Sequence, residues 1–267
     1  MNKIHRVESD GLELAVESFG AGPPLVFAHG LTGNRSNTRD QFAALADRYR
    51  ITIFDQRGHG DSTPVTDPVL YDSQRMAGDM AAIMDALDIE RAIVGGESMG
   101  AATALLFALK WPQRVETLLL TAPAFGDVLN AGLDGIRDMG DVVASEGIDV
   151  FLAQSAVQQR TEFGWPQEMI DYVAKMHRSH DSASLATACQ TVPDWIILSD
   201  FSPLAELSCP VCIIAWEDDP MHPLELAHRV AGALPNAHLE MLESIAVMFT
   251  HPEVVGQIYG RFLEGLS

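Results

Sequence analysis

The stretch that decides the fold reads Val94-Gly95-Gly96-Glu97-Ser98-Met99-Gly100-Ala101-Ala102. An apolar run at residues 92–95 leads into it, and the Ala- and Leu-rich residues 99–111 that follow are typical of a buried helix. Gly-x-Ser-x-Gly between a strand and a helix indicates a tight turn that pushes the serine out at the end of a sheet. The two motif glycines remove side chains that would collide in such a turn. The stretch therefore predicts that Ser98 is an exposed nucleophile.

Strand-like and helix-like segments alternate on both sides of this turn. After an opening hairpin around residues 12–17, apolar runs predict strands at 24–28, 49–54, 92–95, 115–120, 211–216 and 237–242. Helical periodicity predicts helices at 41–49, 73–87 and 99–111. This alternation is typical of an α/β fold with a mostly parallel, doubly wound sheet.

The alternation stops at residues 126–205, where only helix-like segments occur, at 141–155, 166–176 and 182–191. We interpret this region as a helical cap inserted into a core formed by residues 1–125 and 206–267. Caps commonly shape an apolar substrate pocket. The predicted pocket residues are His29, Gly30, Phe125, Trp165 and Trp195.

Over nearly its whole length the chain resembles the α/β-hydrolase superfamily. Besides the serine turn, Ala28-His29-Gly30-Leu31-Thr32-Gly33 resembles the family's His-Gly-x loop. That resemblance implies an oxyanion hole formed by the backbone N–H groups of Leu31 and Met99. Asp55-Gln56-Arg57-Gly58-His59-Gly60-Asp61-Ser62 resembles a structural turn of the family, in which His59 is structural rather than catalytic.

A second family turn supplies the acid that orients the base. Trp216-Glu217-Asp218-Asp219-Pro220-Met221-His222-Pro223 resembles the pattern Gly-x-x-Asp-Pro-x-x-Pro, with Trp216 in place of the glycine. The resemblance implies that Asp219 is the catalytic acid, with Asp218 as the alternative.

The histidine expected after the last strand is missing from its usual place. The segment reads Ser244-Ile245-Ala246-Val247-Met248-Phe249-Thr250-His251-Pro252-Glu253, and alignment on the family pattern puts Val247, or else Ile245, at the histidine position. A serine hydroxyl needs a base to take its proton, and neither aliphatic side chain can do so.

Three explanations of this gap compete. The chain is an inactivated or engineered variant, or another histidine substitutes, or the protein is a non-hydrolytic member of the fold. We favour the first because the rest of the machinery is intact. Among substitutes, His251 is nearest in sequence and His222 is nearest the acid, but His251 is expected to be a solvated surface residue.

Composition limits the partners. The 267 residues carry a formal net charge of −20, which disfavours nucleic acid as a partner. No apolar run suggests a membrane span or a signal peptide, so we expect a soluble, cytoplasmic protein. The cysteines, Cys189, Cys209 and Cys212, are expected to be reduced thiols, with Cys212 in a buried strand.

The sequence thus predicts a serine hydrolase that acts on a carboxylic ester, lactone or related acyl bond, and that is impaired for lack of its histidine. The expected partner is a small-molecule acyl substrate, and a homodimer is left open. No metal or organic cofactor is implied. The alternative function is non-hydrolytic, as a small-molecule binder or receptor or as a lyase or cyclase.

Overall fold

Eight strands form one sheet in the computed structural model of the chain, which describes residues 3–266. Their order is β1-β2-β4-β3-β5-β6-β7-β8. The pairs β1/β2 and β2/β4 are antiparallel, and every other neighbouring pair is parallel. The strands span β1 Lys3–Ser9, β2 Leu12–Gly20, β3 Pro24–Ala28, β4 Arg50–Phe54, β5 Ala92–Glu97, β6 Val115–Thr121, β7 Val211–Ala215 and β8 Ala237–Met241.

The predicted α/β fold with a mostly parallel sheet is confirmed. The predicted strands agree with the structure to within about two residues because parallel strands covered on both faces are apolar throughout. In β7, for instance, all five residues are buried, including Cys212, as expected.

Helices cover both faces of the sheet. On one face lie α2 (Ser73–Ala86), α3 (Met99–Lys110) and α8 (Leu224–Ala233), and on the other lie α1 (Arg35–Phe42) and α10 (Glu253–Glu264). Each face has its own hydrophobic core. This layering brings the carboxyl ends of the central strands to one edge, where the site lies.

The predicted helix at 41–49 is wrong in its bounds. The helix begins at Arg35, because the Asn34 side chain caps it by accepting hydrogen bonds from the N–H groups of Ser36 (2.8 Å) and Asn37 (3.1 Å). It ends at Phe42 and continues as a short 3₁₀ turn. The correction matters because α1 contributes side chains to the cavity described below.

Four helices lie between β6 and β7: α4 (Asp134–Glu146), α5 (Ile148–Thr161), α6 (Gln167–Arg178) and α7 (Ser182–Thr191). The single helix predicted at 141–155 is two helices, because Gly147 adopts φ 92° and breaks the run. The proposed cap limits, 126 and 205, stay a prediction. Within residues 3–266, no helix is both long and apolar enough to cross a bilayer.

A buried ion pair ties α2 to the turn after β4. The Arg57 side chain is fully buried and donates to both carboxylate oxygens of Asp79, with Nε and Nη2 each 2.7 Å away. The Ser9 hydroxyl donates to the same carboxylate at 2.6 Å. Such a planar, two-bond contact fixes the turn in one orientation.

We therefore expect Asp79→Ala to lower the free energy of unfolding by about 3 kcal/mol. The buried Arg57 guanidinium loses its two-bond contact and keeps only the Asp10 carboxylate, 3.2 Å from Nη1, as an ionic partner among residues 3–266. Urea unfolding measures the change. The matched control is Asp85→Ala on the same helix, which breaks an exposed pair with Arg114 and should cost less than about 1 kcal/mol. Equal losses for the two variants would contradict the prediction.

Candidate active site

Ser98 stands at the sharp turn between β5 and α3. Its backbone is held at φ 52° and ψ −109°, a strained conformation for a residue with a side chain. A Cβ atom on Gly96 would lie 2.0 Å from the Gly100 carbonyl oxygen, and one on Gly100 would lie 2.1 Å from that of Ala28. The two glycines therefore allow the close approach that turns the serine side chain out of the sheet.

A histidine bridges Ser98 and Asp219, and it is His222. Its Nε2 lies 3.0 Å from the Ser98 Oγ, and its Nδ1 lies 2.8 Å from the Asp219 Oδ2. Because an ionised carboxylate can only accept, Nδ1 carries the proton and Nε2 is left to accept the hydrogen bond from the hydroxyl. The three side chains form the hydrogen-bonded series that activates a serine.

The loop after β7 holds Asp219 from three sides. The Trp216 indole N–H donates to Oδ2 at 2.8 Å, and the backbone N–H of Met221 donates to Oδ1 at 2.9 Å. Burial raises the pKa of Asp219, but the hydrogen bond and charge of His222, with these two donors, outweigh it and hold the pKa below its usual value. Asp218, the alternative acid, has φ 57° and turns the backbone into this loop.

The distances from His222 to Ser98 and Asp219 favour the second of the three explanations, a substitute histidine, over an inactivated chain. Val247 lies in a short helix, α9 (Ala246–Thr250), and packs against the core beneath α1 and α10. Ile245 lines the cavity beside Ser98. The His251 side chain is 68% exposed, with Nδ1 3.6 Å from a Glu253 carboxylate oxygen, which confirms its predicted surface position.

Sequence analysis found the histidine only as a substitute because it is displaced from one loop to another. The family pattern sets the base after the last strand, whereas His222 follows the acid by three residues in the same loop. Two departures from the family pattern in that loop could have identified it. Trp216 replaces a glycine, and a histidine stands immediately before Pro223. Their rings pack together, with centroids 5.6 Å apart.

The residues predicted to supply the oxyanion donors both lie near the serine. Met99 is the first residue of α3, so its N–H is one of the helix's unpaired N-terminal donors. Leu31 lines the cavity in the loop after β3. That loop is braced by His59, whose two ring nitrogens lie 2.7 Å from the Leu31 carbonyl oxygen and 2.8 Å from that of Arg57. The oxyanion role of both N–H groups stays a prediction.

His29 lines the same cavity but is unsuited to be a base. Its Nε2 accepts a hydrogen bond from the Gln56 N–H at 2.9 Å, so its Nδ1–H donates to the Gly30 carbonyl oxygen at 2.7 Å. Burial, with the nearby His59 ring, lowers its pKa well below the usual range. His29 is therefore a neutral, fully engaged part of the loop.

The cavity above Ser98 is mainly apolar. Of the five predicted pocket residues, His29, Gly30 and Phe125 line it. The two tryptophans lie behind the lining. Trp195 packs on Phe125 at a centroid distance of 5.3 Å, and Trp165 packs on the lining residue Phe249 at 5.9 Å. The segment between β6 and β7 also contributes to the cavity lining, through Leu133, Ile136, Tyr172, Met176 and Pro193.

We expect Trp216→Phe to lower kcat by about tenfold, because it removes one hydrogen bond to the Asp219 carboxylate while keeping a ring against His222. Steady-state hydrolysis of an aryl ester measures it. The control is Trp195→Phe, whose indole donates to the Tyr71 carbonyl oxygen at 2.9 Å, outside the series. A Trp216→Phe enzyme with unchanged kcat would show that this donor is dispensable.

Comparison with known proteins agrees with the fold. A family model described as alpha/beta hydrolase fold matches residues 23–244. The chain is 27% identical over 230 residues to 3-oxoadipate enol-lactonase 2 of Acinetobacter baylyi, which covers 83% of this chain and 81% of the relative.

Solved structures share the fold. An esterase from Thermogutta terrifontis superposes with a TM-score of 0.82 at 24% identity, covering 98% of both chains. The enol-lactonase from Burkholderia xenovorans superposes with a TM-score of 0.82 at 22% identity, covering 97% of this chain and 100% of that one. The chain belongs to the alpha/beta hydrolase fold family.

Proposed function

We propose that the protein is a serine hydrolase that cleaves carboxylic esters or lactones, with Ser98 as nucleophile, His222 as general base and Asp219 as the group that orients it. The observation that carries the proposal is the position of His222, within hydrogen-bond distance of both the serine hydroxyl and the acid. Membership of the family favours hydrolysis, and an enol-lactonase among the relatives favours the carboxylic ester class.

The reaction follows from these contacts. Ser98 Oγ attacks the substrate carbonyl carbon while its proton passes to Nε2 of His222. The carbonyl oxygen becomes an oxyanion, which the N–H groups of Leu31 and Met99 would stabilise. The imidazolium then gives its proton to the departing alkoxide, and an acyl-serine remains. Water, deprotonated by His222, attacks the acyl carbon and releases the acid and the free serine.

A lactone and a linear ester present the same carbonyl group to this machinery. They differ in that the alcohol of an opened lactone remains part of the product. The apolar lining, with Phe125, Ile136, Met176 and Met248, suits the hydrocarbon part of either substrate.

The catalytic roles predict which histidine matters. Ser98→Ala and His222→Ala should each lower kcat on a short aryl ester by about 10⁴-fold or more, as the loss of a triad member does. The control is His251→Ala, which removes an exposed histidine next to the predicted position and should leave kcat unchanged. Full activity of His222→Ala would refute the assignment of the base.

The displaced base also predicts the outcome of restoring the usual one. Val247→His should not raise kcat, because His222 already occupies the place beside Ser98 and because residue 247 packs into the core. Aryl ester hydrolysis by the variant and the parent protein measures this. A gain in kcat of several orders of magnitude would instead mean that His222 does not act as the base in the parent protein.

A further inference from the structure

A carboxyl group that the proposed reaction does not use lies next to the nucleophile. Glu97 ends β5 immediately before Ser98, and its partly buried side chain lines the cavity together with Ser98 and His222. Its Oε2 accepts a hydrogen bond from the Gln41 side-chain amide at 3.0 Å. Its Oε1 lies against the loop after β3, where a Cβ atom on Gly30 would be 3.1 Å away.

Glu97 has no cationic side chain as a partner in the described part of the chain. The groups that stabilise its charge are the Gln41 amide and the more distant His222, while burial raises its pKa above the usual value. A carboxylate held away from water is costly unless a positive charge or several donors compensate it. Among residues 3–266, the Gln41 amide is its one hydrogen-bond donor.

The α1 helix adds further acceptors to the same wall. Asn37 and Gln41 are one turn apart on α1, and both line the cavity. Gln41 is 6% exposed. The side-chain carbonyl oxygens of both residues are buried, and neither has a hydrogen-bond partner among residues 3–266. The Asn37 amide N–H₂ is already used, since it donates to the Tyr172 hydroxyl at 2.5 Å. This wall therefore contains two amide oxygens without a partner beside a carboxylate without a cation.

We infer that the wall formed by Glu97, Gln41 and Asn37 binds a primary ammonium group of the substrate, so that the enzyme selects amine-bearing esters or lactones. An ammonium group brings a positive charge and three donors and no acceptor, which is what the wall lacks. A hydroxyl group brings one donor and no charge. The net charge of −20 favours the approach of such a cation.

The position of the carboxylate gives the ammonium a second effect. Glu97 contacts Gly30, the residue before the predicted oxyanion donor Leu31. A negative charge there opposes the negative charge that develops on the substrate oxygen, and a bound cation neutralises it. The inference rests on the proposed function for this effect on the rate, but binding of the amine itself does not require catalysis.

The test is calorimetric titration of the protein with hexylammonium and, separately, with 1-hexanol at about pH 7, where a primary amine is protonated. We expect hexylammonium to bind about tenfold tighter or more, as a charge-assisted contact would give. It should also inhibit hydrolysis of p-nitrophenyl butyrate competitively. Equal affinities for the two ligands overturn the inference, whether or not any variant folds.

Two variants locate the preference. Glu97→Gln keeps the shape and the contact with Gln41 but removes the charge, and it should bring the two affinities within about twofold of each other. Asp40→Asn removes an exposed carboxylate of α1 that does not line the cavity and should keep the parent preference. A preference that survives Glu97→Gln, or that is lost equally in Asp40→Asn, contradicts a site at Glu97.

The two proposals can fail separately. Hydrolysis of p-nitrophenyl butyrate that does not depend on Ser98 counts against the proposed function, whatever the amine affinity is. Ser98-dependent hydrolysis together with equal affinity for hexylammonium and 1-hexanol keeps the hydrolase and overturns the amine site.

Discussion

The close approach of α3 to the central strands is the constraint on which the rest of the site depends. The backbone at Gly100 lies so near the Ala28 carbonyl group that a single methyl group would not fit, and the turn at Ser98 is strained as a result. That approach sets the start of α3, and hence the Met99 N–H, beside the loop that carries Leu31. It also directs the Ser98 hydroxyl toward the loop after β7. The packing of α3 on β3 and β5 maintains this strained conformation, because residues 99–108 of the helix are all buried.

The loop after β7 contains both the proposed acid and the proposed base. Asp219 and His222 are three residues apart, and Trp216 joins them by donating to the carboxylate and packing on the imidazole. With the base supplied here, the segment after β8 needs no polar residue near the serine. It instead contributes Ile245, Met248 and Phe249 to the apolar part of the cavity lining.

Another wall of the cavity, formed by α1 and the end of β5, is polar. Glu97, Asn37 and Gln41 line it, and the side-chain amide oxygens of Asn37 and Gln41 have no hydrogen-bond partner among residues 3–266. A cavity with one apolar side and one acceptor-rich side orients a substrate that has the same two parts. In such a site, the scissile carbonyl group is placed by the apolar chain and by the charged end together, which is how binding energy far from the bond raises the rate.

The sequence by itself determined the sheet and the serine turn, and resemblance to a family turn singled out Asp219 as the proposed acid. The central parallel strands are largely apolar, and a tight turn needs glycines at fixed spacing, so these features are local and visible in the order of residues. Sequence analysis left His222 as one of two substitutes for the base, because only the tertiary structure shows which imidazole lies near the serine oxygen. Ser98 and His222 are 124 positions apart, and only the packing of β5 beside β6 and of β6 beside β7 brings them within 3.0 Å. The partners of Glu97 were likewise decided in three dimensions, because α1 approaches the end of β5 from a distant part of the chain.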